Sequence, residues 1–413
     1  MTVATALKHI QEPEEINNQS DYIAYSKSVH DYSPAIKRLF DLSEDYVPGA
    51  ERAFQEGKSA VWCQGFNYQP ALLYALDVLP VSYGEMGRYS DKEDMLIAED
   101  FYQFPVETCS MVKCAVAQWH KRIHSSTIKR ILGNASSCEP FNLAFEIMRK
   151  YGYDVYNNEV SYRGPTVAGD RLEQLVNFTI EQMLDVAQWL TGERAVPEER
   201  LRVEIARKNR LLGKLTKVLE LRRTRPFYMK SLAIILTLNV GLNNYFGKPR
   251  EYEEAIDELI QELENEPINE KDLQAVIPLV WAGGTGQEFG IYEAIDLAGG
   301  ALLGLRSAPF RLYREDIPPL ESIARWVYEN SSAGAGVYAR NVLDAEVDRL
   351  KARGVILYGY IGCSFASVDR EMWRRHFHDR GLACINLEGS FQTGAPTGQV
   401  LTRIKAFVEL LSA

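Results

Sequence analysis

The sequence predicts an α/β protein that contains two parallel-sheet domains separated by a helical insertion. Short apolar runs alternate with amphipathic segments in residues 59–166 and again in residues 271–413. Residues 167–270, which lie between them, carry a helical periodicity and no strand pattern. Strands that alternate with helices of this length form right-handed βαβ units and a parallel sheet. We therefore predict four regions, namely an N-terminal helical region in residues 1–58, a first α/β domain, a helical region and a second α/β domain.

In the first domain, apolar runs of four or five residues predict strands that are buried on both faces. These runs are Ala60–Cys63, Val78–Ser82, Arg130–Gly133 and Asp154–Asn157. In the insertion, Pro197 is a favourable helix start and Pro226 is expected to end or kink the same helix. The apolar residues of that helix recur at helical spacing, at Leu201, Ile205, Leu212, Leu215 and Leu219.

The second domain repeats the alternation. Its predicted strands are Ala275–Trp281, Ala301–Leu305, Val355–Tyr360 and Ala383–Leu387, and its predicted helices are residues 287–298, 318–329, 338–352, 367–380 and 396–411. The last helix should bury one apolar face, which is formed by Val400, Ile404, Phe407, Val408 and Leu411. In a parallel sheet, functional groups lie in loops at the carboxyl ends of the strands.

Length, charge and cysteine content exclude several classes of protein. A chain of 413 residues is long enough for two or three domains. The net charge of −10 argues against a general nucleic-acid binder, which needs clustered Lys and Arg. The N-terminal residues show no signal-peptide pattern and no run reaches 18 apolar residues, so we expect a cytoplasmic protein without a membrane partner. Structural disulfides are rare in the cytosol, and the six cysteines therefore need another explanation.

Three cysteines lie at the predicted starts of helices, Cys109, Cys138 and Cys363. A helix N-terminus stabilises a thiolate through its free N–H groups and its dipole. Thiolates are the ligands of iron–sulfur clusters. Because the chain has no Cys-x-x-Cys pair, spacing alone does not separate a metal site from buried structural cysteines.

The other cysteines carry weaker signals. Cys384 lies inside a strand and Cys114 lies deeper in the helix that follows Cys109, and both positions favour a structural role. Cys63, at the end of a strand, is open to either interpretation. Other features allow both a ligand contact and an ordinary structural role, with the structural role favoured: the turn 283–286, the arginines Arg222, Arg223 and Arg225, and the histidines His120, His124, His376 and His378.

Five segments of the chain match a known family in the same order. They are ALLYALDVLPV, ETCSMVK, ASSCEPFNLAFEIM, YGYIGCSFASVDREMWRRHFHDRGLACINLEGSF and GQVLTRIKAFVEL. Over residues 55–413 the chain resembles the 2-hydroxyacyl-CoA dehydratase and benzoyl-CoA reductase family. The resemblance implies two flavodoxin-like α/β domains with a helical region. It also implies one iron–sulfur cluster, held by three cysteines near an acyl-CoA thioester.

Carried onto this sequence, the resemblance implies Cys109, Cys138 and Cys363 as the cluster ligands, with Cys63 left open as a further one. Ser110 and Ser364, each next to a ligand, are expected to donate hydrogen bonds to the cluster sulfides. The loop after the last strand should lie near Cys363, which suggests that Ser390, Gln392 or Thr393 approaches the cluster or the thioester.

The resemblance also implies a function and partners. Family members receive one low-potential electron from an ATP-hydrolysing iron–sulfur activator protein, and they assemble from pairs of related subunits. We expect dehydration of an (R)-2-hydroxyacyl-CoA to the enoyl-CoA with a [4Fe-4S] cluster, in a heteromer or homodimer. Many dehydratases carry Pro-Glu-Glu where this chain has Gln69-Pro70-Ala71. Benzoyl-CoA-type ring reduction, a double-cubane reductase and an electron-relay subunit therefore remain alternatives.

Overall fold

The computed structural model describes most of the chain. The described residues are 16, 18–63, 70–82, 84, 87–91, 93–125, 127–134, 138–159, 161, 163–284, 288–305, 310–329, 336–389 and 398–412. Two helices come first, α1 (Gln19–Val29) and α2 (Pro34–Gln55). The Asn18 side chain accepts a hydrogen bond from the Asp21 backbone N–H at the start of α1, and Pro34 begins α2.

The first sheet is four-stranded and fully parallel. Its strands are β1 (Ser59–Cys63), β2 (Val78–Ser82), β3 (Arg130–Asn134) and β4 (Asp154–Asn158), in the spatial order β2-β1-β3-β4. The helices of this part are α3 (Pro70–Ala75), α4 (Asp94–Leu96), which continues as a π-helix over Ile97–Phe101, α5 (Ser110–Lys121) and α6 (Glu139–Lys150), and a 3₁₀ turn covers Gly87–Tyr89.

Between β4 and the second sheet, the elements assigned among the described residues are all helical. They are α7 (Asp170–Thr191), α8 (Glu198–Arg223), α9 (Ser231–Ile234), which continues as a π-helix over Ile235–Val240, α10 (Gly241–Asn244), the 3₁₀ turn Tyr245–Gly247, α11 (Pro249–Asn265) and α12 (Glu270–Ala275). The predicted apolar stripe of α8 is buried, and the helix ends at Arg223, before Pro226. The residue boundaries assigned to the four regions stay predictions.

The second sheet repeats the topology of the first. Its strands are β5 (Ile277–Gly283), β6 (Gly300–Leu305), β7 (Gly354–Tyr360) and β8 (Ala383–Gly389), in the order β6-β5-β7-β8 and all parallel. Its helices are α13 (Gly290–Leu297), α14 (Pro319–Glu329), α15 (Gly336–Leu350), α16 (Ser364–Asp379) and α17 (Gly398–Ser412). The predicted fold class, two flavodoxin-like parallel-sheet domains with a helical insertion, is confirmed.

One hydrophobic core joins the two sheets. It includes Val61 and Trp62 of β1, Leu279 of β5 and Ile356 of β7. A second, smaller core covers the other face of the second sheet. The predicted apolar face of α17 is buried, and its Phe407 packs against Gly354 at the start of β7. The central strands of the two sheets therefore share one buried core.

Candidate metal centre

Each of the three predicted ligands directly precedes a helix. Cys109 is the residue before α5, Cys138 the residue before α6, and Cys363 the residue before α16. The first turn of each helix has backbone N–H groups without a partner inside the helix. The N–H groups of Met111 and Val112 interact with the Cys109 sulfur and favour its thiolate, and the N–H of Phe141 does the same for Cys138.

The three cysteines also meet in space. The sulfur atoms of Cys109 and Cys363 form a hydrogen bond with each other. This bond, followed by burial and by the nearby Cys363 charge, raises the pKa of Cys109 above its usual range. The pKa of Cys138 is raised by burial and, more weakly, by the charge of Cys363. Cys363 therefore interacts with each of the other two cysteines.

Strand topology explains how distant cysteines come together. Cys138 follows β3 and Cys363 follows β7, and these strands occupy the same place in the two sheets. Cys109 lies on the crossover from β2 to β3. Ligand sites of open parallel sheets lie at the carboxyl ends of the strands, where the strand order reverses. That reversal falls between β1 and β3 in the first sheet and between β5 and β7 in the second.

Backbone packing locks Cys363 against Cys109. Gly362 has φ +77°, a conformation that L side chains rarely adopt. A Cβ at Gly362 would overlap the carbonyl oxygen of Glu107 and stand 3.0 Å from the backbone nitrogen of Cys109. On the other side, the Ile361 N–H donates to the carbonyl oxygen of Gly389 over 2.9 Å. The turn that carries Cys363 is thus held between the residues before Cys109 and the end of β8.

A buried lysine fixes the segment before Cys109. The Lys113 ammonium donates to the Glu99 carboxylate over 2.7 Å and to the carbonyl oxygen of Val106 over 2.8 Å. Both ions are largely removed from solvent, so the contact is screened less than a surface ion pair. Lys113 thereby connects the first turn of α5 to the chain that leads into the site.

The serine and loop predictions fall partly outside the described residues. Ser110 is the first residue of α5 and is buried next to Cys109. Ser364 begins α16, but its side chain lies outside the description, and so do Ser390, Gln392 and Thr393. Gly389, the residue before Ser390, is hydrogen-bonded to the turn that carries Cys363. Gly389, the last described residue before that segment, therefore lies beside the turn that carries Cys363.

The remaining cysteines have other neighbours. Cys63 is fully buried, and its thiol donates to the carbonyl oxygen of Val61 over 3.6 Å. Burial raises its pKa above the usual range. Cys114 interacts with Ser90 and Cys384 interacts with Arg374, and burial raises the pKa of each thiol to about 12. These contacts favour structural roles for all three.

The arginines considered as ligand contacts have partners within the fold. Arg222 is 1% exposed and donates hydrogen bonds to three carbonyl oxygens, those of Leu302, Pro226 and Met229. Arg223 pairs with Glu220, and Arg225 donates to the carbonyl oxygen of Glu266. The ligand interpretation of Arg222 is therefore wrong, because this guanidinium ties the helical insertion to β6.

Three residues beside the turn that carries Cys363 were not recognised from the sequence, namely Gly389, Tyr358 and Glu288. A Cβ at Gly389 would overlap the hydroxyl of Tyr358 and stand 2.7 Å from Oε2 of Glu288. The phenol and the carboxylate therefore lie side by side at the end of β8. The only sequence signals were a strand that ends in glycine and an acidic residue shortly before a helix, and neither is specific.

The donor set is made of sulfur atoms. Among the described residues, no group of three or more His, Cys, Asp or Glu side chains is arranged to hold a single metal ion. The thiolates of an iron–sulfur cluster bind different iron atoms, so they lie farther apart than the ligands of one ion. Three thiols at helix N-termini are soft donors, which suit copper(I), zinc and iron–sulfur clusters.

Similarity to one known protein family covers most of the chain. A family model described as 2-hydroxyglutaryl-CoA dehydratase, D-component, matches residues 66–411, which include both sheets except β1 and all three cysteines of the candidate centre. No curated protein matches the chain. In the part of the chain that the structure describes, none of the helices has the length and apolar character needed to cross a bilayer. The chain belongs to the family of 2-hydroxyglutaryl-CoA dehydratase D-components.

Proposed function

We propose that the chain is the iron–sulfur subunit of an ATP-activated radical enzyme that dehydrates an (R)-2-hydroxyacyl-CoA to the enoyl-CoA. The observation that carries the proposal is the meeting of Cys109, Cys138 and Cys363, which come from two domains and one crossover. Family membership supplies the acyl-CoA dehydratase context.

Three cysteines would hold a [4Fe-4S] cluster and leave one iron without a protein thiolate. Such a group supplies a low-potential electron and an open Lewis-acidic position for a substrate oxygen. The protein contributes the helix N-termini that stabilise the thiolates and the packed turn 361–363 that orients Cys363. The structural surroundings of Cys63, Cys114 and Cys384 favour this simple cluster over a double cubane, which needs more thiolates.

The polar residues around the centre have proposed roles of their own. Ser110 and Ser364 would donate hydrogen bonds to cluster sulfides, because each is adjacent to a ligand in sequence. Ser390 and Gln392 would approach the thioester from the loop that begins beside Cys363. The burial of Cys109 excludes water from one side of the centre, which protects a reactive intermediate from solvent.

The proposed partners are those that the chemistry requires. An ATP-hydrolysing iron–sulfur activator would deliver the electron, and a related second subunit or a second copy would complete the substrate site. We propose the cytoplasm as the compartment, because free thiols of this kind persist in a reducing environment.

A reductase remains the second candidate, and one observation favours it. Gln69-Pro70-Ala71 offers no carboxylate where many dehydratases have Pro-Glu-Glu. A reductase of the benzoyl-CoA type needs the same cluster and activator but no carboxylate at that position. An electron-relay subunit would hold the cluster and turn over no substrate by itself.

Anaerobic purification followed by iron and sulfide analysis tests the cluster. About four iron atoms per chain are expected for a cubane, and about eight would indicate a double cubane. Incubation with activator, ATP and a series of (R)-2-hydroxyacyl-CoA and aromatic acyl-CoA thioesters then separates the functions. Enoyl-CoA formation supports the dehydratase, and ring reduction supports the reductase. A protein that purifies without iron and stays iron-free after anaerobic reconstitution contradicts the proposal.

A further inference from the structure

Gly389, the last residue of β8, is enclosed by two polar side chains to which the proposed function gives no role. They are Tyr358 of β7, which is 0% exposed, and Glu288, which is 8% exposed and lies shortly before α13. A side chain at 389 would overlap the Tyr358 hydroxyl and stand 2.7 Å from the Glu288 carboxylate. Only glycine leaves room for both groups at this point.

The buried position of the Tyr358 hydroxyl costs free energy of folding. Its oxygen is buried and has no hydrogen-bond partner among the described residues. An unsatisfied buried polar group costs roughly 1–3 kcal/mol. The ring is fixed by stacking on Trp281, with 5.1 Å between ring centroids, and by an edge contact with Tyr360 at 5.9 Å. Phenylalanine would keep these ring contacts without the unsatisfied oxygen, so the packing of the ring does not require the hydroxyl.

Charged and titratable groups on the neighbouring elements act on the Tyr358 hydroxyl. Burial raises the pKa of Tyr358, and the charge of Glu288 raises it further, whereas Arg370 of α16 lowers it. Arg370 also pairs with the Glu388 carboxylate of β8 and donates to the carbonyl oxygen of Leu387 over 2.9 Å. The remaining neighbours are the neutral phenols of Tyr292 and Tyr360. The pair therefore lies in a polar cluster that fixes the end of β8.

A continuous chain of contacts leads from this pair to the candidate ligands. The carbonyl oxygen of Gly389 accepts from the Ile361 N–H, and the Cys363 N–H donates to the carbonyl oxygen of Tyr360 over 3.0 Å. Gly362, between them, is packed against the backbone of Glu107 and Cys109. Because packed backbone has no free space in which to adjust, a displacement of Gly389 must move the turn that carries Cys363.

We infer that Glu288 and Tyr358 are positioning residues for Cys363, acting through Gly389 and the turn 361–363. The inference rests on the proposed function, in which Cys363 binds the cluster. The carboxylate and the phenol fix where β8 ends, and this sets the orientation of the Cys363 sulfur relative to Cys109 and Cys138. Groups that orient a ligand tune the metal centre, although they do not touch it.

Two conservative substitutions test the inference, Tyr358→Phe and Glu288→Gln. The matched controls are Tyr252→Phe and Glu346→Gln, which alter a buried tyrosine and a buried glutamate in other parts of the fold. The Tyr252 hydroxyl donates to the carbonyl oxygen of Thr237 over 2.6 Å, so its loss removes a real hydrogen bond. Tyr358→Phe should leave the denaturation midpoint unchanged or raised, whereas Tyr252→Phe should lower it.

Two readouts report on Cys363. In the anaerobic holoprotein, the electron paramagnetic resonance spectrum and midpoint potential of the reduced cluster should change in Tyr358→Phe and Glu288→Gln, at unchanged iron content. A tenfold change in the reduction equilibrium corresponds to about 59 mV for one electron. In the iron-free protein, the rate at which iodoacetamide alkylates Cys363, measured by peptide mass spectrometry, should change by about threefold or more. The control variants should match the wild type in both measurements.

The outcomes separate this inference from the proposed function. Wild-type protein without iron overturns the proposed function, while the alkylation rates still decide whether the pair positions Cys363. A normal cluster with unchanged spectrum, potential and alkylation rate in both test variants overturns the inference alone. If Tyr358→Phe lowers stability as Tyr252→Phe does and leaves Cys363 unchanged, its hydroxyl has a purely structural role and the inference is wrong.

Discussion

The two parallel sheets share one strand order but differ in what surrounds their carboxyl ends. In both, a cysteine follows the third strand of the chain order, Cys138 after β3 and Cys363 after β7. The first domain adds Cys109 from its crossover, whereas the second adds the buried pair Glu288 and Tyr358. Because the two sheets have the same strand order, each carries a cysteine after the corresponding strand. The crossovers and loops determine which other side chains surround that cysteine.

Burial falls from a central strand to the last strand in both sheets. The central strands β1 and β7 are well buried, with four of five positions in β1 and all seven in β7. The edge strands β4 and β8 are more open, with one buried position out of five in β4 and two out of seven in β8. The two sheets are therefore alike in this respect and differ in the groups at their carboxyl ends. The four predictions below test this comparison, from the largest expected effect to the smallest.

The largest effect is expected from removing a ligand. Cys109→Ala, Cys138→Ala and Cys363→Ala should each lose most of the bound iron, because water is a poor replacement for a thiolate in a site with little solvent. Cys363→Ala should be the most severe, since Cys363 interacts with both of the others. Iron content after anaerobic purification measures the effect. Cys384→Ala is the control, and full iron occupancy in two of the three ligand variants would contradict the site.

The second effect compares how the two sheets are packed. A phenylalanine ring covers a strand glycine in each, Phe145 against Gly133 of β3 and Phe407 against Gly354 of β7. Phe145→Ala and Phe407→Ala should each lower the free energy of unfolding by roughly 3–5 kcal/mol. Chemical denaturation followed by circular dichroism measures the change. If one variant has a nearly unchanged free energy of unfolding, the two packing sites are not equivalent. The substrate preference should be unchanged in both variants.

The third effect is a pH dependence of the second domain. Burial raises the pKa of Asp296, near the end of α13, to about 6, while its hydrogen bonds to Ser231 lower it in part. The folded carboxyl holds its proton more tightly than the unfolded one. Its contribution to stability is therefore complete below about pH 4 and is lost as the pH rises through about 6.

Asp296→Asn should remove this dependence. Between pH 4 and 7, the unfolding free energy of the wild type should fall relative to the variant by up to about 3 kcal/mol. Denaturant titrations at several pH values provide the measurement. Parallel curves for the two proteins would show that Asp296 titrates normally.

The smallest effects on stability are expected at two glycines with positive φ, Gly381 and Gly362. Gly381→Ala and Gly362→Ala both force a side chain into positive φ, but only Gly362 has backbone atoms in the way of a Cβ. Gly381→Ala should cost about 1 kcal/mol of unfolding free energy, and Gly362→Ala should cost about 1–3 kcal/mol. Iron content should fall in Gly362→Ala alone. Equal iron content in the two variants would show that the turn tolerates displacement.

The sequence predicted the sheets well and the contents of the site less well. Buried parallel strands are short apolar runs between helices, so all eight strands could be placed to within about two residues of their observed ends. The positions of Cys109, Cys138 and Cys363 at helix starts followed from the same pattern. Their meeting did not, because it depends on how two sheets pack, and only the family resemblance joined the three cysteines before the structure was known.

Two other sites show why local patterns were insufficient. Arg222 looked like a basic helix end, since periodicity reports which face of a helix is apolar and not what its last turn packs against. Glu288 looked like an ordinary acidic residue before a helix, where the dipole alone favours a negative charge. What distinguishes Glu288 from such a residue is that its carboxylate lies against Gly389, about a hundred residues later in the chain.

The division of the proposed ligands between the two sheets has a consequence for biosynthesis. Cys109 and Cys138 leave the ribosome with the first sheet, whereas Cys363 follows with the second sheet. At about 5–20 residues per second, the interval between Cys138 and Cys363 is on the order of tens of seconds. During that time, the nascent chain offers two thiols without the third. Assembly of the proposed cluster therefore has to wait until the second sheet has been synthesised, and exposure of the first two thiols to oxygen or foreign metals before then is a specific hazard for this architecture.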